Sequence, residues 1–318
     1  MSEEIKPLFF EDLEEEKSTN KEGGKPSTSF ENGGEGKDTF VSRERKPDEI
    51  INKNSNFIFF FGAGESGKSV ILASMLYAMR KKFGVISPKI GTPNSKEARV
   101  LLETFFEDIG EGKLPERTDR DKVTRMDLVF NPNNKSQKVP PIDLTFLEAS
   151  GENWNEIKRG GVLHKSLDTY LSSDIPLTFI ITTGYSKAHE EDSFICQFLY
   201  MLEEKRYNLK RKTNVIMVVS KWDQSGSERI ASAEELDNFM KERLPMTNNF
   251  LETYNLDKTY STIGELYKED GGDKERIRYL NLSSAERLSK WLYKSIAGKS
   301  LDYPGTMWEQ LKWSIGLK

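Results

Sequence analysis

Apolar residues along this chain alternate between continuous runs and helical spacing. Runs of aromatic and branched residues cover 57–61, 177–183 and 214–220. Such runs are typical of strands that are buried on both faces. Between them, segment 193–205 carries apolar residues at helical intervals. The alternation predicts an α/β fold in which helices cover both faces of a mostly parallel, doubly wound sheet.

Two further segments predict a strand pair of opposite orientation. Residues 123–130 alternate roughly between polar and apolar positions, and residues 142–148 read as the returning strand. The turn-rich link at 131–135 is too short for a parallel crossover, so the pairing must be antiparallel. We therefore expect one antiparallel strand in the sheet.

Helical spacing and breaker residues predict the remaining elements. A last strand is expected at 276–282, and helices are expected at about 70–82, 96–109 and 284–297. Residues 84–94 contain Gly, Pro and Asn and predict a loop, whereas 231–268 predicts helical or loop segments.

Composition divides the chain into three parts. Residues 1–50 hold 14 acidic and 8 basic side chains, a net charge of −6, and contain few apolar residues. Burial of so little apolar surface cannot offset the entropy of ordering, which predicts a disordered acidic tail. Within it, segment 5–13 is either a short docking motif or a stretch with incidental aromatics. We expect one domain at 51–299 and a C-terminal tail or short helix at 300–318.

Charge and cysteine content narrow the classes of partner. The 318-residue chain carries −4, which leaves about +2 after the tail, so neither part has the basic excess of a nucleic-acid binder. Cys196 is the single cysteine, which excludes an intramolecular disulfide. No apolar run approaches the roughly 20 residues of a membrane helix. We expect a cytoplasmic protein without nucleic-acid binding or membrane insertion.

The stretch from Phe57 to Leu76 carries the strongest motif. Its apolar run ends in Gly-Ala-Gly-Glu-Ser-Gly-Lys-Ser, which matches the phosphate-loop pattern G-x-x-x-x-G-K-[ST] and precedes a helical segment. Backbone N–H groups of such a loop form an anion site with the helix dipole. Lys68 is expected to reach the β- and γ-phosphates, and the Ser69 hydroxyl to ligate Mg²⁺. The predicted nucleotide-contacting residues here are Gly62, Ala63, Gly64, Glu65, Ser66, Gly67, Lys68, Ser69 and Val70.

An acidic residue closes the returning strand. Glu148 is followed by Ala-Ser and then by Gly151 and Glu152. An acid at a strand end, followed by two residues and then a glycine, suits a γ-phosphate sensor. The carboxylate would hold Mg²⁺ through water, and the Gly151 N–H would contact the γ-phosphate. The alternative is an ordinary Ser-Gly turn.

Two strand ends carry candidate base-reading residues. Asp223 can accept from guanine N1–H and N2–H₂, which adenine does not offer, and Lys221 can lie along the base and sugar. The alternative is a surface Lys and Asp that begin a loop. Ser283 ends the last expected strand, where backbone N–H groups could meet the guanine O6.

In this order the motifs resemble the GTPase series of the TRAFAC class, over about residues 55–297. The phosphate loop has the spelling found in heterotrimeric G-protein alpha subunits, but the chain lacks room for their large helical insert. Segments 112–118 and 147–152, separated by a strand, are similar to the bacterial double-GTPase type associated with anti-phage and other conflict systems. The chain has room for one such domain, not two.

The resemblance implies a small-GTPase-like P-loop fold and further site residues. Thr118 is the candidate for the mobile threonine that senses Mg²⁺, with Thr124 as the alternative. Arg117 either neutralises transition-state charge or is an exposed arginine without that contact. Glu152 stands where small GTPases often carry Gln, and it could orient water or act as a base.

Two positions depart from the family pattern. Glu148 stands where most relatives carry Asp, and its extra methylene alters the Mg²⁺ shell. Ser220 stands where Asn is usual, so a loop-bracing amide is expected to be lost and the guanine preference to be less secure.

The leading hypothesis is a bacterial GTP-binding switch that slowly hydrolyses GTP, with Mg²⁺ as cofactor and an unidentified effector or regulatory protein as partner. Its catalytic candidates are Lys68, Thr118, Gly151 and Glu152. One alternative is a P-loop ATPase or nucleotide kinase, in which the pair Lys221 and Asp223 is accidental. Another is a nucleotide-binding scaffold without turnover.

Overall fold

The computed structural model describes residues 50, 52–116, 124–134, 139–148, 165–207, 212–226, 231–268, 275–304 and 306–308. Of Thr124, Glu148, residues 165–167 and Tyr207, only the backbone is described. Residues 1–49 of the tail predicted at 1–50, the segment Arg117–Thr118, Gly151, Glu152 and residues 309–318 lie outside the described residues.

Strands account for most of the predicted apolar runs. In chain order they are β1 (Asn56–Phe61), β2 (Gly84–Pro88), β3 (Thr124–Pro132), β4 (Ile142–Glu148), β5 (Leu177–Gly184), β6 (Thr213–Ser220), β7 (Asp257–Tyr260), β8 (Gly264–Lys268) and β9 (Glu275–Leu280).

Helices separate most of these strands. They are α1 (Lys68–Ala78), α2 (Ser95–Gly110), α3 (Lys165–Ser172), α4 (Ala188–Leu202), α5 (Ala233–Arg243), α6 (Pro245–Thr253) and α7 (Ser283–Ala297). Single π-helical turns continue α1 to Phe83 and α4 to Tyr207. The helices predicted at 70–82, 96–109, 193–205 and 284–297 are therefore confirmed within a few residues.

The main sheet has seven strands in the order β2-β3-β4-β1-β5-β6-β7. β1 pairs in parallel with β4 and β5, and β5, β6 and β7 continue the parallel register. β3 runs antiparallel to both β2 and β4, so it is the single antiparallel strand of this sheet. This is the predicted α/β architecture, with helices on both faces.

Two cores lie on opposite faces of the sheet because successive side chains of a strand point to opposite sides. Ile58 and Phe60 of β1 pack with α1, α2 and α7, whereas Phe57, Phe59 and Phe61 pack with α4, α5 and α6. β1 is buried along almost its whole length. The central aromatic strand therefore joins both cores and ends rigidly at the phosphate loop.

Three predicted elements differ from the structure. Residues 84–88, expected as loop, form the edge strand β2. β7 lies within the region expected to hold helices or loops, and it completes the parallel sheet. The strand expected at 276–282 is β9, which pairs with β8 in a separate two-stranded sheet, the β8–β9 sheet.

Candidate functional site

The carboxyl ends of five parallel strands meet at one edge of the sheet. The register aligns Phe60 with Glu148, Gly184 with Ser220, and Val219 with Tyr260. Ligands of open α/β sheets bind at this edge, where the strand order reverses. The candidate site residues on β1, β4 and β6 therefore lie on the same side of the molecule.

The phosphate loop (Gly62–Gly67) follows β1 and lies in close contact with β5. A Cβ placed on Gly62 would lie 2.3 Å from the Thr182 hydroxyl and 2.4 Å from its carbonyl oxygen. Gly67 precedes α1 with φ +82°, a left-handed conformation that favours glycine. These two glycines are therefore required by the local backbone, independently of any ligand.

Lys68 is buried and lies across the phosphate loop. Its Nζ donates to the carbonyl oxygens of Gly62 at 2.8 Å and Ala63 at 2.9 Å. Among the described residues, the start of α1 carries no side-chain cap. The first N–H groups of a helix point outward along its axis, so the start of α1 and the ammonium group together make this loop a suitable cradle for a phosphate.

Ser220 corrects one expectation drawn from the sequence. Its hydroxyl donates to the backbone carbonyl of Ser66 at 2.8 Å, and both residues are buried. The Ser66 hydroxyl in turn bonds the Thr182 hydroxyl at 2.8 Å. The amide of the usual Asn is lost, as expected, but the Ser220 hydroxyl makes a contact that braces the loop.

The loop after β6 (Lys221–Gly226) is held by a buried tryptophan. Trp222 packs against the rings of Tyr185, Phe239 and Tyr260, with centroids 5.0–5.5 Å apart. Lys221 has φ +55°, which is unusual for a residue other than glycine. Strained backbone of this kind concentrates at functional sites. The buried ring fixes the loop between the two charged candidates Lys221 and Asp223.

Asp223 is half-buried beside the turn that follows β7 (Ser261–Ile263). The Thr262 hydroxyl donates to Asp223 Oδ1 at 3.5 Å. Burial raises the pKa of Asp223 above its ordinary value, whereas hydrogen bonds from its own backbone N–H and from Thr262 partly offset the rise. Glu275 adds a smaller upward effect on this pKa, and Lys221 a smaller downward one.

The turn after β7 was not predicted from the sequence. In the structure this turn lies beside Asp223, where Ser283 was expected. Trp222 N–H donates to the Ser261 carbonyl at 3.2 Å, and Ser261 N–H donates to the Val219 carbonyl at 2.8 Å. The turn therefore adjoins Asp223 directly. Small polar residues directly after a short strand were the available signal.

Ser283 itself lies at the start of α7 and is exposed. Its backbone N–H, predicted to meet the guanine O6, donates instead to Asn281 Oδ1 at 2.9 Å. Since β9 is not part of the main sheet, the assumption behind that prediction was wrong.

The candidate Mg²⁺ residues are only partly described. Ser69 lies in the first turn of α1, directly after Lys68. The backbone of Glu148 pairs with Phe60 on one side and with Thr124 on the other. Glu148 and Thr124 therefore lie at the strand ends beside the phosphate loop. The Ser69 hydroxyl is an oxygen ligand of the kind that Mg²⁺ prefers, whereas of Glu148 only the backbone position at this edge is described.

A second set of charged residues adjoins the phosphate loop from the connection between β5 and α4. Lys187 Nζ lies 3.6 Å from Glu65 Oε2, and both side chains are about half exposed. Thr183 donates to Glu191 Oε2 at 2.6 Å, and burial raises the pKa of that carboxyl. Glu65 itself has φ +65°. The Glu65–Lys187 pair joins the loop to the connection before α4, and the Thr183–Glu191 bond joins β5 to α4.

Comparison with known proteins yields partial structural likenesses. No protein-family model matches the chain, and no curated protein matches it. A chain of the signal recognition particle receptor SRb-GTP/SRX complex from Chaetomium thermophilum is similar with a TM-score of 0.41 and 10% identity, over 76% of this chain and 98% of that one.

Two further structures are similar to the same degree. A probable GTP-binding protein engB has a TM-score of 0.35 and 13% identity, over 77% of this chain and 100% of that one. Toc33 from Arabidopsis thaliana, in complex with Mg²⁺ and GMPPNP, has a TM-score of 0.37 and 12% identity, over 78% and 86%. Because these values are low, the assignment of the fold rests on this chain's own strand order and phosphate loop.

Those features define a P-loop NTPase fold of the small-GTPase type. The seven-stranded sheet is parallel except for β3, and the phosphate loop lies between β1 and α1. Relative to the predicted architecture, β2 and β7 are additional strands of the main sheet, and β9 pairs with β8 outside it. Within the described residues, no helix combines the length and apolar character that crossing a membrane requires.

Proposed function

We propose that the protein is a GTP-binding switch that hydrolyses GTP slowly to GDP and phosphate. One observation carries the proposal: the hydrogen bond from Ser220 to Ser66. It joins the phosphate loop to the strand end from which Lys221 and Asp223 project. A phosphate cradle and a carboxylate suited to a guanine edge therefore belong to one site.

At the phosphate end, the proposed roles follow from charge and position. Lys68 neutralises the β- and γ-phosphates, and loop N–H groups bind phosphate oxygens. Mg²⁺ supplies charge neutralisation of the transferring group, with Ser69, Thr118 and Glu148 as its proposed ligands, the last through water. Gly151 is the proposed γ-phosphate sensor, and Glu152 the residue that orients water.

At the base end, Asp223 supplies the selectivity. Its two oxygens accept from guanine N1–H and N2–H₂, whereas adenine would leave a half-buried carboxylate without those donors. Each charge-assisted bond contributes on the order of 1.5–3 kcal/mol. A preference for GTP over ATP of roughly a thousandfold follows.

The switch role rests on the proposed γ-phosphate contacts. GTP would order the segments around Thr118 and Gly151, and hydrolysis would release them to change the surface read by an effector protein. The resemblance to the bacterial double-GTPase type suggests a bacterial origin and a defence-related partner. Both suggestions are part of the proposal.

Titration calorimetry with GTP, ATP and xanthosine triphosphate tests the proposal on wild type and on Asp223→Asn. The variant replaces one acceptor by a donor, so it should bind GTP more weakly and favour xanthosine triphosphate, which carries an oxygen at the 2-position. Asp237→Asn is a matched control, since Asp237 pairs with Lys258 at the surface.

Three results would contradict the proposal. Equal affinity of wild type for ATP and GTP would favour the ATPase or nucleotide-kinase alternative. Unchanged GTP affinity of Asp223→Asn would show that this carboxylate does not read the base. Tight GTP binding without any phosphate release, alone or with partners, would favour the non-hydrolysing scaffold.

A further inference from the structure

Thr262 connects the Asp223 carboxylate to the turn after β7. Its hydroxyl donates to Asp223 Oδ1 and accepts from the Gly264 N–H at 3.2 Å. A hydroxyl that accepts a backbone hydrogen bond has its proton available for a carboxylate. The orientation of the Asp223 carboxylate therefore depends on where the backbone of Thr262 is held.

Ser284 holds that backbone from the opposite side. Its hydroxyl accepts from the Thr262 N–H at 3.2 Å and donates to the Thr262 carbonyl at 2.8 Å. Ser284 is buried in the first turn of α7, and α7 packs against α1. Both backbone polar groups of Thr262 are thus fixed by one side chain on a rigid helix.

The β8–β9 sheet brings Ser284 back to Thr262 across 22 residues of chain. Gly264 opens β8 with φ +117°, and a Cβ there would lie 1.8 Å from the Tyr279 carbonyl oxygen. Asn281 N–H donates to the Ile263 carbonyl at 2.9 Å, which closes the same end of the sheet. The close approach of the two strands therefore sets the position of α7 relative to the turn after β7.

The other edge of β9 is anchored as well. Ile277 N–H donates to the Gly112 carbonyl at 2.7 Å, and Lys113 forms a bridge with Arg276. Gly112 has φ +72°, and a Cβ there would lie 2.9 Å from the Ile277 carbonyl oxygen. Because Ile277 also belongs to the core formed with α1 and α2, the β8–β9 sheet is fixed to the domain rather than pendant.

We propose that Ser284 is a positioning residue for base recognition, acting through Thr262 on the Asp223 carboxylate. The inference rests on the proposed function, since it names what sets the selectivity of that same site. Ser284 does not contact the base in this proposal. It fixes the turn after β7 so that Asp223 presents both oxygens to the guanine N1–H and N2–H₂ pair.

The test measures the ratio of the dissociation constants for inosine triphosphate and GTP, which isolates the 2-amino contact. Wild type should show a ratio of about ten or more, because one charge-assisted hydrogen bond is lost with inosine. Ser284→Ala and Thr262→Val should each lower this ratio about fivefold. The double variant should lower it no further, since both changes remove one chain of contacts.

Two controls separate positioning from general destabilisation. Ser289→Ala removes a buried hydroxyl of the same helix that donates to Ala285 and Met75 carbonyls, and it should leave the ratio unchanged. Thr262→Ser keeps the hydroxyl and should retain the wild-type ratio. Thermal melts of all variants report loss of structure independently of selectivity.

A wild-type ratio in Ser284→Ala would overturn the inference, as would additive losses in the double variant. If Ser284→Ala does not fold, Thr262→Val against Thr262→Ser decides the same question. The failure of the proposed function looks different, because wild type itself would then show no preference for GTP over ATP.

Discussion

The Ser220 hydroxyl donates to the carbonyl oxygen of Ser66 at 2.8 Å, across 154 positions of sequence. Both residues are almost fully buried. A Cβ on Gly67 would lie 3.0 Å from the same hydroxyl, so the end of β6 is in direct contact with the phosphate loop. This contact transmits the position of β6 to the loop.

Ser220→Ala should therefore weaken nucleotide binding while leaving the fold intact. The change leaves the Ser66 carbonyl without its buried donor, which costs about 1–2 kcal/mol and corresponds to roughly 5- to 30-fold in affinity. Titration calorimetry with GDP and GTP would measure the loss.

The matched control for this prediction is Ser74→Ala. Ser74 is a buried serine of α1 whose hydroxyl donates to the Ile71 carbonyl, away from the loop. Equal losses of affinity in the two variants would show that the Ser220 contact has no special effect on the phosphate loop.

The sequence correctly placed Ser220 at the end of a buried strand, but it did not predict the hydrogen bond from Ser220 to Ser66. A missing amide was inferred from the family pattern, whereas the structure shows that a shorter hydroxyl reaches the same loop. Whether a side chain reaches a neighbouring loop depends on differences of a few tenths of an ångström in the backbone separation. Spacing along the chain contains no information on such distances.

Lys68→Ala should abolish nucleotide binding with little effect on folding. The ammonium group donates to two loop carbonyls, Gly62 and Ala63, and supplies the positive charge of the cradle. Lys82→Ala, a change at an exposed lysine near the other end of the same helical segment, is the control. Retained affinity in Lys68→Ala, together with an unchanged melting temperature, would remove the basis for the phosphate site.

Long apolar runs were predictable because burial on both faces leaves a strong pattern. β1, β5 and β6 are of this kind and lie where the sequence placed them. β7, with the sequence Asp-Lys-Thr-Tyr, has four residues of which two are buried, and β2 ends in proline. Neither gives a pattern long enough to distinguish a strand from a loop.

The base end of the site depended on one of these short strands. Because β7 was not predicted, 276–282 was taken as the last strand, and Ser283 was proposed at its end. The identity of an edge strand follows from pairing, and the pairing of β7 with β6 is a tertiary contact.

A chain that begins at Ile50 should bind GTP as tightly as the full chain. Ile50 packs against the core on the α4 face, and Ser55 bonds Thr145 at 2.8 Å, so the shortened chain keeps both contacts just before β1. Residues 1–49 lack the composition of a core. Calorimetry and thermal melts of both chains would check this, and a shortened chain that fails to fold or bind would make the tail part of the domain.

Intrinsic turnover should be slow, at roughly 10⁻⁴ to 10⁻² per second, as in small GTPases without a supplied arginine. The proposed phosphate-site cations are Lys68 and Mg²⁺, and Glu152 would bring a negative charge near the γ-phosphate. Single-turnover phosphate release measures the rate. A value near 10 per second without a partner, typical of a dedicated enzyme, would argue against a switch.

GTP affinity should fall as the pH falls through the raised pKa of Asp223. Burial raises that pKa, and Glu275 adds to the rise, while Thr262 and Lys221 oppose it. The guanine contact requires the ionised carboxylate, so GTP binding releases a proton in this window. Below the pKa, affinity should drop about tenfold per pH unit.

The stability of the nucleotide-free protein should depend on pH with the opposite sign: the contribution of Asp223 should fall as the pH rises. A carboxyl whose folded pKa exceeds its unfolded value favours the folded state at low pH, and that contribution is lost as pH rises through the folded pKa. Asp223→Asn should therefore unfold at a higher temperature than wild type at neutral pH, and its GTP affinity should lose the pH slope.

Calorimetric titrations of both proteins with GTP over a pH series, with ATP as the reference ligand, measure the slope. Identical slopes for GTP in wild type and Asp223→Asn would mean that another group titrates, and the role of Asp223 in reading the base would fall with it.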